Sequence, residues 1–279
     1  FCEHYYPEFI PNLSSCKSPQ QMFGAMMKTY YAEKMGLNPE DIFVVGIMPC
    51  TAKKYERYRD YQDAVPGIPD VDASITTREL ARMIDTSGIS FVDLPDEDFD
   101  PSFGISSGAG LIFGATGGVM EAALRTVADI VTGEDLDTLD YHEVRGTEGI
   151  KEAQYDLNGR QIRVAVASGL ANARALLERV KSGEASYDMI EIMACPGGCI
   201  NGGGQPIQPQ SVRNFVDLRT LRAKAIYSAD KSMKMRKSHE SPVIKEIYDA
   251  YLGNPGSEKA HKLLHTKYQA RSKYPGVAE

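Results

Sequence analysis

The stretch Met193-Ala-Cys-Pro-Gly-Gly-Cys-Ile-Asn-Gly-Gly-Gly-Gln-Pro206 is the most informative part of this chain. It places two thiols, Cys195 and Cys199, four residues apart among five glycines and two prolines. Glycine lets a backbone pass close to a bulky object and leaves N–H groups free to point at it. Thiolates are soft ligands that suit iron–sulfur clusters, zinc or copper. The stretch therefore predicts a loop that wraps a metal cluster. The alternative is a glycine-rich loop with two incidental buried thiols.

Cys50 lies in a similar context earlier in the chain. The run Asp41-Ile-Phe-Val-Val-Gly-Ile-Met48 is almost continuously apolar and of strand length, and Pro49 and Cys50 follow it. A second apolar run, residues 187–193, precedes Cys195 in the same way. In open parallel sheets, ligands bind at the carboxyl ends of the strands. Two such units are therefore expected to face one another with their cysteines converging.

The remaining pattern alternates between helix and strand. Ser18 and Pro19 are typical of an N-cap and a first helical residue, and the helix predicted over 18–35 closes on Gly36. Residues 85–110, which include Pro95 and Pro101, form a loop-rich lobe crossing. Helices are also predicted over 78–83, 118–131, 170–180, 241–253 and 257–269, and strands over 42–48, 71–77, 141–144, 155–157, 161–167 and 187–193. This pattern predicts an α/β protein with mostly parallel sheets flanked by helices, followed by a helical tail.

Composition limits the functional classes. A chain of 279 residues can bury a large core, and a net charge of −7 without a basic stripe argues against nucleic-acid binding. No apolar run approaches the roughly 18 residues of a membrane span. Five cysteines are an odd number for a disulfide framework, so clustered cysteines indicate metal binding in a reducing compartment. We expect a cytoplasmic protein and leave the periplasm open.

Several strings together resemble [FeFe]-hydrogenases. Ile47-Met-Pro-Cys-Thr-Ala-Lys-Lys54 and Glu191-Ile-Met-Ala-Cys-Pro-Gly-Gly-Cys199 are similar to the second and third signatures of that family. The other similar segments are 12–21, 76–80, 113–123, 236–239 and 264–268. The resemblance covers essentially the whole chain. It implies one catalytic domain over 1–279, with interlocked lobes over 1–105 and 106–230, a metal cluster between them, and a tail over 231–279.

The resemblance also implies the chemistry. Two protons and two electrons combine reversibly to give dihydrogen at a cofactor called the H-cluster. Cys50, Cys195 and one further cysteine would hold a [4Fe–4S] cubane. Cys199 would bind the cubane and bridge to a diiron unit that carries CO, CN and a bridging dithiolate. Electrons would come from ferredoxin or from N-terminal iron–sulfur domains or a subunit, maturation proteins would assist, and the setting would be anaerobic.

Residue roles follow from the same resemblance. Lys53 would donate to a cyanide ligand, whose negative charge an ammonium stabilises in a dry pocket, and Glu56 would orient Lys53. Ser14 matches the serine of a proton relay, because a hydroxyl can accept one proton and give another. The residues expected to line the cofactor pocket are Ser18, Pro19, Gln20, Met48, Pro49, Phe113, Gly114 and Met193.

One departure stands against this match. The family's first signature, Thr-Ser-Cys-Cys-Pro, supplies the fourth cubane ligand and a relay thiol, and it is absent from this sequence. Cys2 and Cys16 do not stand at its positions, and Cys16 is expected to be a core thiol. We therefore expect a fragment that needs a further segment carrying those cysteines, and that is inactive by itself.

Other interpretations stay open. The chain could be a non-catalytic relative, either a sensory paralogue or an iron–sulfur assembly factor. It could instead be a zinc-binding module that uses three cysteines. Gly108, Gly110 and Gly114 have the spacing GxGxxxG, which does not match a dinucleotide-binding loop. His261 and His265 have a metal-capable spacing, but with no acidic third ligand beside them a surface pair is favoured.

Overall fold

The computed structural model describes residues 1–100, 103–135, 139–146 and 148–274. Pro101, in the predicted loop-rich stretch, lies outside these residues. The chain forms two compact units. The first comprises Phe1–Thr76 and the chain from Glu246 onward, and the second comprises Thr77–Lys245. The lobes predicted over 1–105 and 106–230 have other bounds, and the tail predicted over 231–279 is divided between the two units. Assignment of 1–279 to a single catalytic domain stays a prediction.

The described residues contain five strands and twelve α-helices. The strands are β1 Val45–Met48, β2 Ala73–Thr76, β3 Ile150–Leu157, β4 Arg160–Ser168 and β5 Met189–Met193. The helices are α1 Cys2–Tyr5, α2 Pro19–Met26, α3 Ala32–Met35, α4 Ala52–Glu56, α5 Thr77–Thr86, α6 Gly108–Ile112, α7 Gly118–Thr132, α8 Leu170–Lys181, α9 Gln210–Arg213, α10 Leu218–Ser232, α11 Pro242–Ile247 and α12 Glu258–Leu264. Shorter helical turns join several of them.

In the first unit, β1 and β2 pair in parallel, from Val45 opposite Ala73 to Met48 opposite Thr76. The predicted helix over 18–35 is confirmed as α2, a π-helical turn over Met27–Tyr31, and α3. Ser18 is the N-cap with extended backbone, and Pro19 follows as the first residue. Gly36 ends α3 with a φ of +63°, a conformation that favours glycine.

In the second unit, the strand order is β3-β4-β5. β3 and β4 form an antiparallel hairpin, while β4 and β5 pair in parallel. Asn158 and Gly159 both have positive φ, of 56° and 81°, which suits a two-residue hairpin turn. Val164 and Val166 of β4 pack with Met120 and Leu124 of α7 in a buried core. The predicted α/β class is therefore confirmed, and the three-stranded sheet is mixed.

Two predicted elements differ from the structure. Residues 141–144 were expected to be strand-like, but His142–Val144 is a 3₁₀ turn. Tyr141 and Val144 both pack into the core, and a spacing of three suits a helical turn better than a strand. The helix predicted over 257–269 ends at Leu264, because His265 is extended and forms an isolated β-bridge with Cys16.

Candidate functional site

The loop that carries Cys195 is fixed to the ends of two parallel strands in the second unit. Cys195 lies two residues beyond Met193, the last residue of β5. Gly169 N donates to Met193 O at 2.7 Å. Gly197 N donates to Ser168 Oγ at 2.7 Å, and Ser168 is the last residue of β4. The predicted sequence of strand and then cysteine is therefore confirmed for Cys195.

Two glycines shape the loop between the thiols. Gly197 and Gly198 have φ values of +84° and +99°, which disfavour any other L-residue. A Cβ on Gly198 would collide with Gly114 O and Thr116 N. The loop and residues 114–116 also share two hydrogen bonds, from Thr116 N to Gly197 O at 3.3 Å and from Ile200 N to Gly114 O at 3.0 Å. These glycines therefore bring the loop backbone against residues 114–116, while the approach of the loop to a metal cluster stays a prediction.

Several predicted pocket residues come together around this loop. Met193 is buried, and its Sδ lies 3.9 Å from Cys199 Sγ. Gly114 meets the residue after Cys199, and Phe113 packs against the core formed by Ala109, Ile112 and Ala122. Cys195 is half-buried and Cys199 is exposed. The second unit therefore places the Met193 thioether beside the Cys199 thiol.

Two buried polar atoms beside the loop have no hydrogen-bond partner among the described residues. They are Asn201 Nδ2 and Thr116 Oγ1. Asn201 is the last residue of the short helical turn Cys199–Asn201, and its Nδ2 is an N–H donor. A buried donor without an acceptor is costly, and a sulfur-rich anionic group next to the thiols supplies acceptors. The donor set in this unit therefore fits an iron–sulfur cluster.

The glycine run after Cys199 is held by the start of α5. Thr77 Oγ1 donates to Gly204 O at 2.9 Å, and Arg78 N donates to the same oxygen at 3.1 Å. Arg78 Nη2 donates to Gly203 O at 3.2 Å. Two residues of the segment 76–80, Thr77 and Arg78, therefore hold the glycine run that follows the cysteines.

In the first unit, Cys50 lies two residues beyond Met48, the last residue of β1, as predicted. Met48, Pro49 and Cys50 are all half-buried. Thr51 follows them as the N-cap of α4. Because β1 belongs to a parallel pair, Cys50 stands at the carboxyl end of a strand, where open α/β sheets bind ligands.

A short polar chain on α4 joins three predicted site residues. Lys53 Nζ lies 2.5 Å from Glu56 Oε2, with 22% and 24% of the two side chains exposed. Ser18 Oγ donates to the other oxygen of Glu56. Glu56 therefore holds the ammonium of Lys53 on one side and the hydroxyl of Ser18 on the other. The predicted orientation of Lys53 by Glu56 is consistent with this geometry.

Gln20 is a buried polar residue beside the same chain. Its Nε2 donates to Lys53 O at 3.4 Å, and its Oε1 accepts from Ser74 Oγ, on β2, at 3.2 Å. A Cβ on Gly46 would collide with the Gln20 side chain. Gln20 therefore ties the start of α4 to the two-stranded sheet, while Pro19, the first residue of α2, is exposed.

Ser14 and the remaining thiols lie elsewhere in the first unit. Ser14 is exposed, its Oγ accepts from Cys16 N at 3.3 Å, and its carbonyl accepts from Tyr268 OH at 3.0 Å. Cys16 is exposed, so its expected role as a core thiol is wrong. Its backbone instead bridges to His265 at the surface. Burial raises the pKa of the Cys2 thiol.

No three His, Cys, Asp or Glu side chains come together in a metal-binding arrangement within the described ranges. All five cysteines belong to those ranges and none is in a disulfide bond. The rings of His261 and His265 stack with centroids 4.1 Å apart, and His265 Nδ1 lies 2.7 Å from Ser15 Oγ. No helix among the described residues is long and apolar enough to cross a membrane.

Two buried charged residues near the cysteine loop, Glu191 and Lys151, were not predicted from the sequence. Glu191, in the middle of β5, is buried and accepts from Gly117 N and Met120 N. Burial raises the pKa of Glu191, although these two hydrogen bonds oppose the change. Burial also lowers the pKa of Lys151, on β3. The available signal was a single carboxylate inside the apolar run over 189–193.

The family models match two regions of this chain. The C-terminal domain of the iron-only hydrogenase large subunit matches residues 1–203, and the iron hydrogenase small subunit matches residues 216–271. A subunit of an NADP-reducing hydrogenase from Solidesulfovibrio fructosivorans is 49% identical over 273 residues, which are 98% of this chain and 46% of that protein. The chain spans about half the length of this protein and of iron hydrogenase 1 from Clostridium pasteurianum, which is 47% identical over 268 residues.

The chain is also similar to a solved hydrogenase structure and to a more distant relative. The apo [FeFe]-hydrogenase from Chlamydomonas reinhardtii, in a variant form, superposes with a TM-score of 0.81 at 43% identity. The match covers 97% of this chain and 73% of that one. A cytosolic Fe–S cluster assembly factor from Xenopus tropicalis is 31% identical over 280 residues, covering 98% of this chain and 57% of that protein.

Proposed function

This chain belongs to the iron-only hydrogenase family, and we propose that it supplies most of a catalytic domain for the reversible reduction of protons to dihydrogen. The observation that carries the proposal is the placement of the thiols. Cys50 and Cys195 each follow a strand of a parallel pair by two residues, and glycines bring the backbone close around Cys199. Thiolate ligands at such positions suit an iron–sulfur cofactor.

The proposed ligands are the three motif cysteines. Cys50, Cys195 and Cys199 would bind a [4Fe–4S] cubane together with one cysteine from a further segment, and Cys199 would also bridge to a diiron unit with CO, CN and dithiolate ligands. When bound, that cofactor would pass electrons from the donor to protons and so supply the redox chemistry. The chain supplies the ligands, the donors and the exclusion of water.

Lys53 is the proposed donor to a cofactor anion. Its ammonium has three N–H donors, and Glu56 accepts from it at 2.5 Å. An ammonium on a half-buried face interacts more strongly with cyanide nitrogen than it does in open water. Ser18 donates to Glu56 and so keeps the carboxylate facing Lys53. The other proposed pocket residues are Pro19, Gln20, Met48, Pro49, Phe113, Gly114 and Met193.

Ser14 is the proposed hydroxyl of the proton path. Its Oγ accepts from Cys16 N at 3.3 Å, which leaves the hydroxyl proton to be donated. A relay needs a group that can accept on one side and donate on the other, and a serine can do both. Ferredoxin or additional iron–sulfur domains are the proposed electron donors, maturation proteins would load the cofactor, and the cytoplasm is the proposed compartment.

The test uses the full-length protein that contains this chain, produced without oxygen. We expect a brown protein whose bound iron, cluster EPR signal and hydrogen evolution from reduced methyl viologen are all lost in Cys195→Ala. Cys16→Ala is the matched control, because Cys16 is exposed and its contacts with His265 and Ser14 are made by its backbone, which the substitution keeps. Iron that survives Cys195→Ala, or that is lost in Cys16→Ala, would contradict the assigned ligands.

A non-catalytic hydrogenase-like protein is the second candidate, because the assembly-factor relative is 31% identical across almost the whole chain. The lysine–glutamate–serine chain on α4 favours catalysis, since only a diiron unit presents cyanide to Lys53. A sensory paralogue would keep that chain. Robust cluster loading without hydrogen turnover would support the non-catalytic role, and a colourless protein containing zinc would support a zinc module.

A further inference from the structure

Glu191 is a charged side chain inside the second unit that the proposed chemistry does not use. It lies on β5, four residues before Cys195, with 6% of the residue exposed. Its Oε1 accepts from Gly117 N at 2.6 Å, and its Oε2 accepts from Met120 N at 2.7 Å. Both donors belong to the start of α7, whose N-terminal N–H groups favour a negative charge.

The same turn is held from its other side by Lys151. This lysine lies on β3 with 7% of the residue exposed, and its Nζ donates to Thr116 O at 3.3 Å and to Gly146 O at 2.9 Å. Gly117 adopts a φ of +88°, and a Cβ there would collide with Val144 O. Glu191 and Lys151 therefore hydrogen-bond to the two sides of the peptide group that joins Thr116 and Gly117.

That turn is also what holds the cysteine loop. Thr116 N donates to Gly197 O, and Ile200 N donates to Gly114 O, so residues 114–116 bond to the loop on both sides of Cys199. Gly198 lies against Gly114 O and Thr116 N with no room for a side chain. A shift of residues 114–117 would therefore move the backbone that carries the second thiol.

We propose that Glu191 and Lys151 are positioning residues that set the Cys195–Cys199 loop for cluster binding, acting through the turn at 114–117. Neither side chain is a ligand in this proposal. The inference rests on the proposed function, in which Cys195 and Cys199 of this loop bind the cluster. Metal clusters depend on groups that orient their ligands, and a rigid turn keeps two thiols at a fixed separation.

The test compares Glu191→Gln with the unaltered full-length protein, purified without oxygen. Glutamine has the same shape, but its NH₂ group faces an N–H donor, so at least one of the two hydrogen bonds is lost. In metal-free protein we expect amide exchange to speed up at Gly117, Met120, Thr116 and Ile200. In loaded protein we expect a chelator to remove iron about tenfold faster, the effect of losing one charge-assisted hydrogen bond.

Leu177→Ala is the stability control. Leu177 is buried on α8 in the same unit, so its truncation lowers the melting temperature without touching the turn. Lys151→Met is the second variant, which keeps the apolar stem and removes the donor to Thr116. We expect Lys151→Met to accelerate exchange at Thr116 and iron release, and Leu177→Ala to change neither beyond its effect on global unfolding.

The outcomes separate this inference from the proposed function. If the unaltered protein holds no cluster, the proposed function fails, but the exchange measurement still tests the tie between the turn and the loop. If it holds a cluster, and Glu191→Gln and Lys151→Met release iron no faster than Leu177→Ala, the positioning role is overturned. If Glu191→Gln does not fold, Lys151→Met alone decides between the two results.

Discussion

At the scale of single residues, the α4 chain shows how one carboxylate can serve two donors. Glu56 accepts from Lys53 on the same helix and from Ser18, which precedes α2. A half-exposed pair of this kind adds little to stability, because solvent screens it and two long side chains must be ordered. Its geometry therefore fits a role in holding a charge in place better than a role in folding.

Lys53→Met should lower hydrogen turnover and retention of the diiron unit in the full-length protein while changing the melting temperature little. The physical reason is that the lost partner of Lys53 is a cofactor anion, whereas the pair with Glu56 is partly exposed and adds little to stability. Infrared cyanide bands and turnover are the measurements. Lys54→Met, one residue along α4, is the control, and unshifted bands with full activity in Lys53→Met would contradict the contact.

The residue scale also shows what a sequence can and cannot reveal. Cys50, Cys195 and Cys199 are predicted ligands because a cysteine that follows an apolar run, or that lies among glycines, is typical of a metal ligand. The structure confirms that Cys50 and Cys195 follow strands, while their ligation stays a prediction. Glu191 could not be assigned a partner, because Gly117 and Met120 lie about seventy residues away and only the folded chain brings them together. The prediction that Cys16 is a core thiol is wrong, because Cys16 is exposed and its backbone bridges to His265.

At the scale of elements, the predictable parts were those with local signals. Ser18, Pro19 and Gly36 mark the ends of one helical stretch, and capping chemistry is a property of adjacent residues. Residues 141–144 carried an apolar pattern too short to separate strand from turn. Packing of Tyr141 and Val144 against α7 and β4 decides their conformation, and that packing is not local.

Gly198→Ala tests the element that connects the two thiols. The new methyl group would occupy a backbone with a φ of +99° and would collide with Gly114 O and Thr116 N. We expect unfolding free energy to fall by about 3 kcal/mol or more, together with loss of bound iron. Urea unfolding and iron analysis are the measurements.

Gly183→Ala is the matched control, because Gly183 also has a positive φ, of +79°, but a Cβ there meets open space. Gly183→Ala should lower the free energy of unfolding by about 1–2 kcal/mol, because only the backbone conformation is unfavourable. Bound iron should be unchanged. Equal effects of the two substitutions on stability and on iron would show that the close approach of residues 114–116 does not matter.

At the scale of the whole molecule, the second unit is tied together by a buried charge network. Arg125 on α7 is fully buried and donates to Asp230 on α10 and to Glu121. Arg145 and Arg236 extend the network to Asp140, at 2.7 and 3.0 Å. Removing one partner of a buried pair leaves an uncompensated charge, so a single substitution in this network is strongly destabilising.

Asp140→Asn gives this network a pH signature. Burial of Asp140 opposes its ionisation, but hydrogen bonds from Arg145 and Arg236 outweigh burial and lower its pKa to about 2. A carboxylate whose folded pKa lies below its unfolded value stabilises the protein above about pH 4 and loses that effect as pH falls toward 2. The difference in the free energy of unfolding between the unaltered protein and Asp140→Asn, here called the stability gap, should therefore be largest at pH 7 and shrink below pH 4.

Urea unfolding at a series of pH values measures that gap. Asp98→Asn is the control, because Asp98 is exposed in the loop-rich stretch and has no place in the network. A gap that is the same at pH 3 and pH 7, or an equal gap for Asp98→Asn, would show that the two arginines do not stabilise the Asp140 carboxylate.

The last prediction follows from counting thiolates across the molecule. A cubane takes four cysteine ligands, and the residues of this chain that match the family's motifs supply three. An iron atom bound by only water or a buffer thiol exchanges readily, so the cluster should be weakly held and sensitive to oxygen. We expect residues 1–279, produced alone and reconstituted, to evolve no hydrogen from reduced methyl viologen. Adding a segment with the Thr-Ser-Cys-Cys-Pro signature, fused or separate, should restore cluster and turnover together. Sustained turnover by residues 1–279 alone would mean that Cys2, Cys16 or an external ligand completes the cubane.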